Sequence, residues 1–301
     1  MHSFHEMLEQ KGILVADGAW ATEFVKNGLE PGEPPERWNL DRPDHVRNLA
    51  AAYVRAGADI VLTNTFGGSP LKLEKSGLIG KVEDVNRRGV ELSMQAADGR
   101  ALVFASMGPS GEFMAPLGTV GEDQMYEQFS RQAEALADAD PDGIVIETMT
   151  DLGEARAALR AARDTTDLPV VVSMSFSSGP KGYATMMGVT PCQAAEELET
   201  AGAAVVGTNC GFGIAEMVGV AELMRDATSL PLWCKPNAGM PQIVDGETVY
   251  RQTPEEMIEH VSALIEAGAS IIGGCCGTTP EHIQLLSTER ARLVREMDGQ
   301  N

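Results

Sequence analysis

The sequence predicts an α/β fold of one class, a single (β/α)8 TIM barrel, and three observations predict it. Short β-branched runs recur eight times, amphipathic stretches separate them, and an Ala-Gly-Ala turn precedes three of the runs. Runs alternating with helical segments make parallel strands with crossover helices, and eight such units close on themselves. A doubly wound open sheet is the alternative, but it carries a glycine-rich dinucleotide turn after its first strand. Asp17-Gly18-Ala19-Trp20-Ala21 is not one.

The candidate strands are residues 13–16, 60–63, 102–106, 144–147, 170–174, 204–208, 232–235 and 270–273. Between them the helices carry start signals. Thr190-Pro191, Thr253-Pro254 and Thr279-Pro280 each put a capping Thr before Pro in the first turn. Gln193 and Glu256, three residues past the first two caps, complete capping boxes. The repeated turns are Ala56-Gly57-Ala58, Ala201-Gly202-Ala203 and Ala267-Gly268-Ala269. Nine residues on from each first Ala lie Thr65, Cys210 and Cys276. Equivalent positions on different barrel strands face one cavity at the C-terminal rim, where barrels build their chemistry.

The 301 residues are 43% hydrophobic, enough for a sizeable core, and are read as one domain over 1–301. A formal charge of −21 argues against nucleic acid and anionic membrane as partners, since both want a basic face. Five cysteines form no disulfide-like framework. Met1-His2-Ser3-Phe4-His5-Glu6 lacks the regions of a signal peptide, and no apolar stretch reaches membrane-span length. The expected setting is cytoplasmic and reducing.

Each candidate strand ends in something polar or glycine-rich. In order these are Asp17, Thr63-Asn64-Thr65, Gly108-Pro109-Ser110-Gly111, Glu147, Ser175, Cys210, Asn237 and Cys275-Cys276. Successive side chains of a regular strand point to opposite faces, so Cys275 and Cys276 reach one metal only if the backbone bends. Gly273, Gly274 and Gly277 permit the bend. With Cys210 they supply three thiolates, which leave a tetrahedral zinc one open position, the catalytic arrangement. Soft sulfur also favours zinc or copper(I) over magnesium. Asp17 and Glu147 each close an apolar run, where an unpaired buried carboxylate is costly, and together they suit a substrate ammonium. A salt bridge or cap at the strand end is the other reading. Cys192 and Cys234 read as packing residues.

The chain resembles the homocysteine S-methyltransferase family, in particular the homocysteine-binding barrel of cobalamin-dependent methionine synthases. The matching pieces are Asp17-Gly18-Ala19, Thr63-Asn64-Thr65-Phe66, Gly108-Pro109-Ser110-Gly111, Pro116-Leu117-Gly118, Glu147-Thr148, Gly207-Thr208-Asn209-Cys210, Pro236-Asn237-Ala238-Gly239 and residues 273–280. The resemblance implies zinc on Cys210, Cys275 and Cys276. It implies contacts from Asp17 and Glu147 to the amino group of homocysteine, with Thr63 and the backbone amides near Ser106 positioning it. The reaction would be in-line attack of a metal-activated thiolate on an electrophilic methyl group, producing methionine.

Three departures bear on the donor. Trp20-Ala21 stands where relatives have Met-Gly or a similar pair. Gly277 follows the cysteines as in methionine synthases, whereas users of S-methylmethionine tend to have Arg. Gly67 and Thr148 stand where betaine users place aromatics, leaving Trp38 and Phe66 as the remnants of a cage. The sequence contains no Asp-x-His-x-x-Gly cobalamin signature. The expected donor is therefore methylcobalamin on a separate corrinoid protein. A small onium donor (S-methylmethionine or betaine) and a non-catalytic zinc- and thiol-binding module are the competing readings.

Overall fold

The computed structural model describes residues 3–180, 182–244 and 247–299. Met1 and His2, read above as lacking a signal peptide, lie outside the described residues, as do 300 and 301 of the expected 1–301 barrel. The barrel strands are β1 (Leu14–Val15), β2 (Ile60–Leu62), β3 (Leu102–Met107), β4 (Gly143–Met149), β5 (Val170–Met174), β6 (Val205–Asn209), β7 (Leu232–Lys235) and β8 (Ala269–Ile272). All pairings among them are parallel, in the order β1-β8-β7-β6-β5-β4-β3-β2. A parallel bridge from Ala16 to Ile60 joins β1 to β2 and closes the ring. All eight expected runs become strands.

Strands covered on both faces have no use for polar alternation, which is why they read as continuous apolar runs. Their inward residues, among them Leu14, Ile60, Leu62, Phe104, Val145, Val171, Val205, Trp233 and Ile271, fill the barrel. Phe104 stacks on Trp233 with ring centres 6.5 Å apart. Phe4, on a helix the sequence reading did not anticipate (Phe4–Lys11), packs against Phe104 at 5.4 Å. That helix starts with a Ser3/Glu6 capping box. It closes the end opposite the strands' C-termini, so the open end is the C-terminal rim.

The repeated turns behave alike. Gly57, Gly202 and Gly268 have φ of 95°, 91° and 100°. That left-handed turn is cheap for glycine only, and it turns each helix back into the next strand. The Thr253/Glu256 capping box forms as expected. The Thr190 box does not: Thr190 accepts from the Gln193 amide, but the Gln193 side chain turns to Glu197 instead. Two short antiparallel hairpins were not anticipated, Ser177–Gly179 with Gly182–Ala184 after β5 and Gln242–Val244 with Glu247–Val249 after β7. Both rise from the C-terminal face. Among the described residues, no helix is long and apolar enough to cross a membrane.

Candidate active site

Cys210 follows β6 with φ 60°, a left-handed turn that its amide anchors on the Lys235 carbonyl at 3.1 Å. Past β8 the chain is pinned residue by residue. Gly274 donates to the Asp17 carbonyl at 2.9 Å, Cys275 to that of Pro236 at 2.7 Å, and the Cys276 carbonyl accepts from Ala238 at 2.9 Å. A Cβ on Gly274 would stand 2.3 Å from Thr278 Oγ1, so glycine alone lets the bend close. Thr278 Oγ1 in turn donates to the Cys275 carbonyl at 2.7 Å. The result places the sulfurs of Cys210, Cys275 and Cys276 all within 4.8 Å of one another. Three sulfurs at about 2.3 Å from a tetrahedral zinc stand roughly 3.8 Å apart, so the triangle fits that ion with small adjustment.

Neighbouring groups hold the sulfurs in place. Asn209 Nδ2 donates to Thr148 Oγ1 at 2.7 Å and reaches Cys275 Sγ at 3.7 Å, while its Oδ1 accepts from the Thr148 amide and from Ser173 Oγ. The Tyr250 hydroxyl donates to Cys276. Hydrogen bonding among the three sulfurs couples them: Cys275 and Cys276 hold Cys210 below the ordinary thiol range, while Cys210 pushes Cys275 and Cys276 up. Zinc ligands must be deprotonated, so zinc uptake at pH 7 is expected to release one proton for each cysteine of the three that is still a thiol. Calorimetry in buffers of different protonation enthalpy measures that number. Affinity should then fall as the pH is lowered, because protons compete with the metal for the same sulfurs.

The sulfurs line a cavity of about 530 Å³ in the barrel mouth. Glu147 reaches its wall because β4 is irregular there: pairing with β5 shifts register between Ile146 and Met149, and Thr148 has φ 63°. Such a bulge re-aims a side chain. Glu147 is buried and accepts from Ser106 Oγ at 2.6 Å. Desolvation raises its pKa, partly offset by the Lys235 charge and the Ser106 bond. Thr63 lines the same wall, but its Oγ1 bonds Thr65 Oγ1 at 2.6 Å and accepts from the Ser106 amide at 3.0 Å. The Gly108 amide is likewise engaged, by the Phe66 carbonyl at 2.8 Å. The expected amide contacts near Ser106 are therefore occupied inside the protein.

Asp17 departs furthest from expectation. It is fully buried and is not among the residues lining the cavity. Its Oδ1 pairs with Lys235 Nζ at 2.6 Å, and its Oδ2 accepts from Trp20 Nε1 and the Leu62 amide, both at 2.8 Å. Of the two sequence readings for this carboxylate, the structure forms the salt bridge. Lys235, the last residue of β7, lines the cavity. Burial pulls its ammonium down, but Asp17 and Glu147 outweigh burial and hold it above the ordinary lysine range. Glu36, a second carboxylate on the wall, carries no motif that marks it in the sequence; its Oε1 accepts from the Gly67 amide at 2.6 Å.

Other expectations sort cleanly. Trp38 is fully buried against Phe24 and His45 and does not line the cavity, whereas Trp20 and Phe66 do. His282 bonds Thr279 and the Gln252 carbonyl, so it caps a helix. Cys234 is buried in β7, where desolvation raises its thiol to about 12.

A barrel with three converging sulfurs at its C-terminal rim and an open cavity beside them is an enzyme scaffold with a candidate metal centre. The profile of the homocysteine S-methyltransferase family matches residues 14–289, and the chain belongs to that family. The methionine synthase of Mycobacterium leprae is 30% identical over 307 residues, covering 95% of this chain and 25% of the relative. That of Mycobacterium tuberculosis is 29% identical, covering 96% and 25%. The chain thus spans about a quarter of the length of these curated relatives. The metallated homocysteine methyltransferase MmuM from Escherichia coli superposes with a TM-score of 0.79 at 23% identity, covering 94% of this chain and 98% of that one. This likeness is of fold.

Proposed function

We propose that this enzyme methylates the thiol of homocysteine or a similar small thiol, with zinc on Cys210, Cys275 and Cys276 and a methylated corrinoid on a partner protein as donor. The sulfur triangle facing a cavity is the observation that carries this reading. When bound, zinc supplies the positive field that strips the acceptor thiol of its proton and keeps the sulfur nucleophilic near neutral pH. The chain's own groups do the rest. Asn209 and Tyr250 orient the sulfurs, while Glu147 and Ser106 meet the acceptor's polar end. The apolar walls around Trp20 and Phe66 exclude water from the two reactants. The acceptor sulfur forms its bond to the methyl carbon as the donor–carbon bond breaks, and the electron pair leaves with the donor.

A partner-borne donor agrees with the resemblance to the methionine synthase barrel, and a reducing cytoplasm would keep the cysteines as thiols. Trp20 and Phe66 on the wall give the onium donor some support, since aromatic faces attract such cations. Zinc-loaded protein offered homocysteine should form methionine from methylcobalamin and not from S-methylmethionine or betaine. Turnover with an onium alone selects the second reading. Binding of zinc and homocysteine without turnover on any donor leaves the non-catalytic module.

A further inference from the structure

We propose that Tyr250, Asn209 and Asn237 steer the methyl group to the acceptor's sulfur by damping the nucleophilicity of the three cysteine sulfurs beside it. This rests on the thiol-methyltransferase reading above and deepens it, by naming what separates acceptor sulfur from ligand sulfur.

In the loaded complex four sulfurs would share one zinc, three from the chain and one from the acceptor. All three cysteines stand on the cavity wall, so a methyl group that reaches the acceptor sulfur also comes near theirs. A methyl misdirected to Cys276 would form S–CH3 as the donor–carbon bond breaks, with the electron pair leaving on the donor. The thioether left behind is no longer a thiolate, the form in which cysteine binds metal. Such an error would cost the enzyme its site. The shared ion cannot discriminate among the four sulfurs by its own charge.

The groups behind the sulfurs can. Asn209 Nδ2 reaches Cys275 Sγ at 3.7 Å, the Tyr250 hydroxyl donates to Cys276, and the Asn237 side chain donates to Cys210. Among the described residues each of the three cysteines thus has a side-chain donor, and none of those donors lines the cavity. They are positioning residues, out of reach of the substrate. A hydrogen bond to a thiolate holds its lone pair and lowers its basicity. Nucleophilicity falls with basicity, along a Brønsted slope of about 0.4–0.5 for thiolates. An acceptor sulfur entering from the cavity meets a different wall, on which Trp20 Nε1 is already committed to Asp17 and Ser106 Oγ to Glu147.

Tyr250 is held firmly in this role. Its ring lies against Gly277, where a Cβ would stand 2.2 Å from Tyr250 Cβ and 2.4 Å from its Cγ. The glycine after the paired cysteines therefore admits the ring. Two residues further on, the Gln252 amide donates to the Ala238 carbonyl at 3.0 Å, and the Gln252 carbonyl accepts from His282 Nε2 at 3.0 Å. Ala238 in turn donates to the Cys276 carbonyl, so the tyrosine and the cysteine it serves share one anchor.

The test treats the zinc-loaded protein with iodomethane, which methylates sulfur without any partner protein, and locates each added methyl by peptide mass spectrometry. Tyr250→Phe keeps the ring against Gly277 and removes only the hydroxyl. Cys276 should then be methylated about threefold to tenfold faster than in the wild type, while Cys210 and Cys275 keep their rates. An unchanged rate at Cys276, or an equal rise at all three cysteines, overturns the proposal. Cobalt(II) in place of zinc gives a readout without methylation: loss of the hydroxyl should move the sulfur-to-metal charge-transfer band to lower energy, and an unmoved band counts against the role. The wild type needs no variant. With homocysteine bound, it should methylate the homocysteine sulfur at least about tenfold faster than any of the three cysteines, and equal rates overturn the proposal. If Tyr250→Phe exposes Cys276 but homocysteine is never methylated, the damping stands and the acceptor reading falls. If homocysteine is methylated and Cys276 is indifferent to Tyr250, the acceptor reading stands and the damping falls.

Discussion

Cys210→Ser and Cys276→Ala should each lose zinc and reduce methyl transfer by roughly 10³-fold or more, with the barrel still folded. The size follows from what the triangle does. In the proposed site each cysteine supplies one of three ligands, the sulfurs lie within 4.8 Å of one another, and among the described residues no His, Asp or Glu joins them to take over a missing place. A two-sulfur remnant holds the ion weakly and leaves the acceptor thiol mostly protonated at neutral pH, since an unperturbed thiol titrates near 8.5. The protein supplies its own controls. Cys192 and Cys234 are also free thiols but belong to no such cluster. Cys192→Ser should keep full zinc stoichiometry by metal analysis, and Cys234→Ala should keep it while losing stability by way of a buried cavity. Equal zinc loss in the control variants would sink the assignment.

How much of this was readable in the chain depends on whether a feature is local. The strands were, because a strand covered on both faces must be apolar along its whole length. The sulfur triangle was also readable, since Gly-Gly-Cys-Cys-Gly announces a bend and the Ala-Gly-Ala repeat puts Cys210 and Cys276 at matching heights. Asp17 and Glu147 could be placed at strand ends, but not their partners. Lys235 closes the run Leu-Trp-Cys-Lys, and nothing in that run says the lysine points inward rather than out to water. Its partner Asp17 lies 218 positions away in the sequence. Tyr250 reaches Cys276 only because the hairpin after β7 folds back over the rim, and Glu36 arrives on a 3-10 turn between β1 and β2. The helix at Phe4 could have been found, for Ser3 and Glu6 spell its capping box.

The second large effect concerns stability. Asp17→Ala should destabilise the protein by about 3–5 kcal/mol, because it strands the Lys235 ammonium in the barrel without its counter-charge. Lys235 is 2% and Asp17 0% exposed, so water cannot substitute for the lost partner. The same change frees Trp20 Nε1 and the Leu62 amide, and each donor left unpaired inside adds to the loss. Asp17→Ala/Lys235→Met separates these contributions. If the stranded charge dominates, the double variant recovers most of the loss, and the coupling from the double-mutant cycle is large and of opposite sign to the single effects. If the Trp20 and Leu62 bonds dominate, the second substitution recovers little. Urea unfolding of the four proteins decides between them.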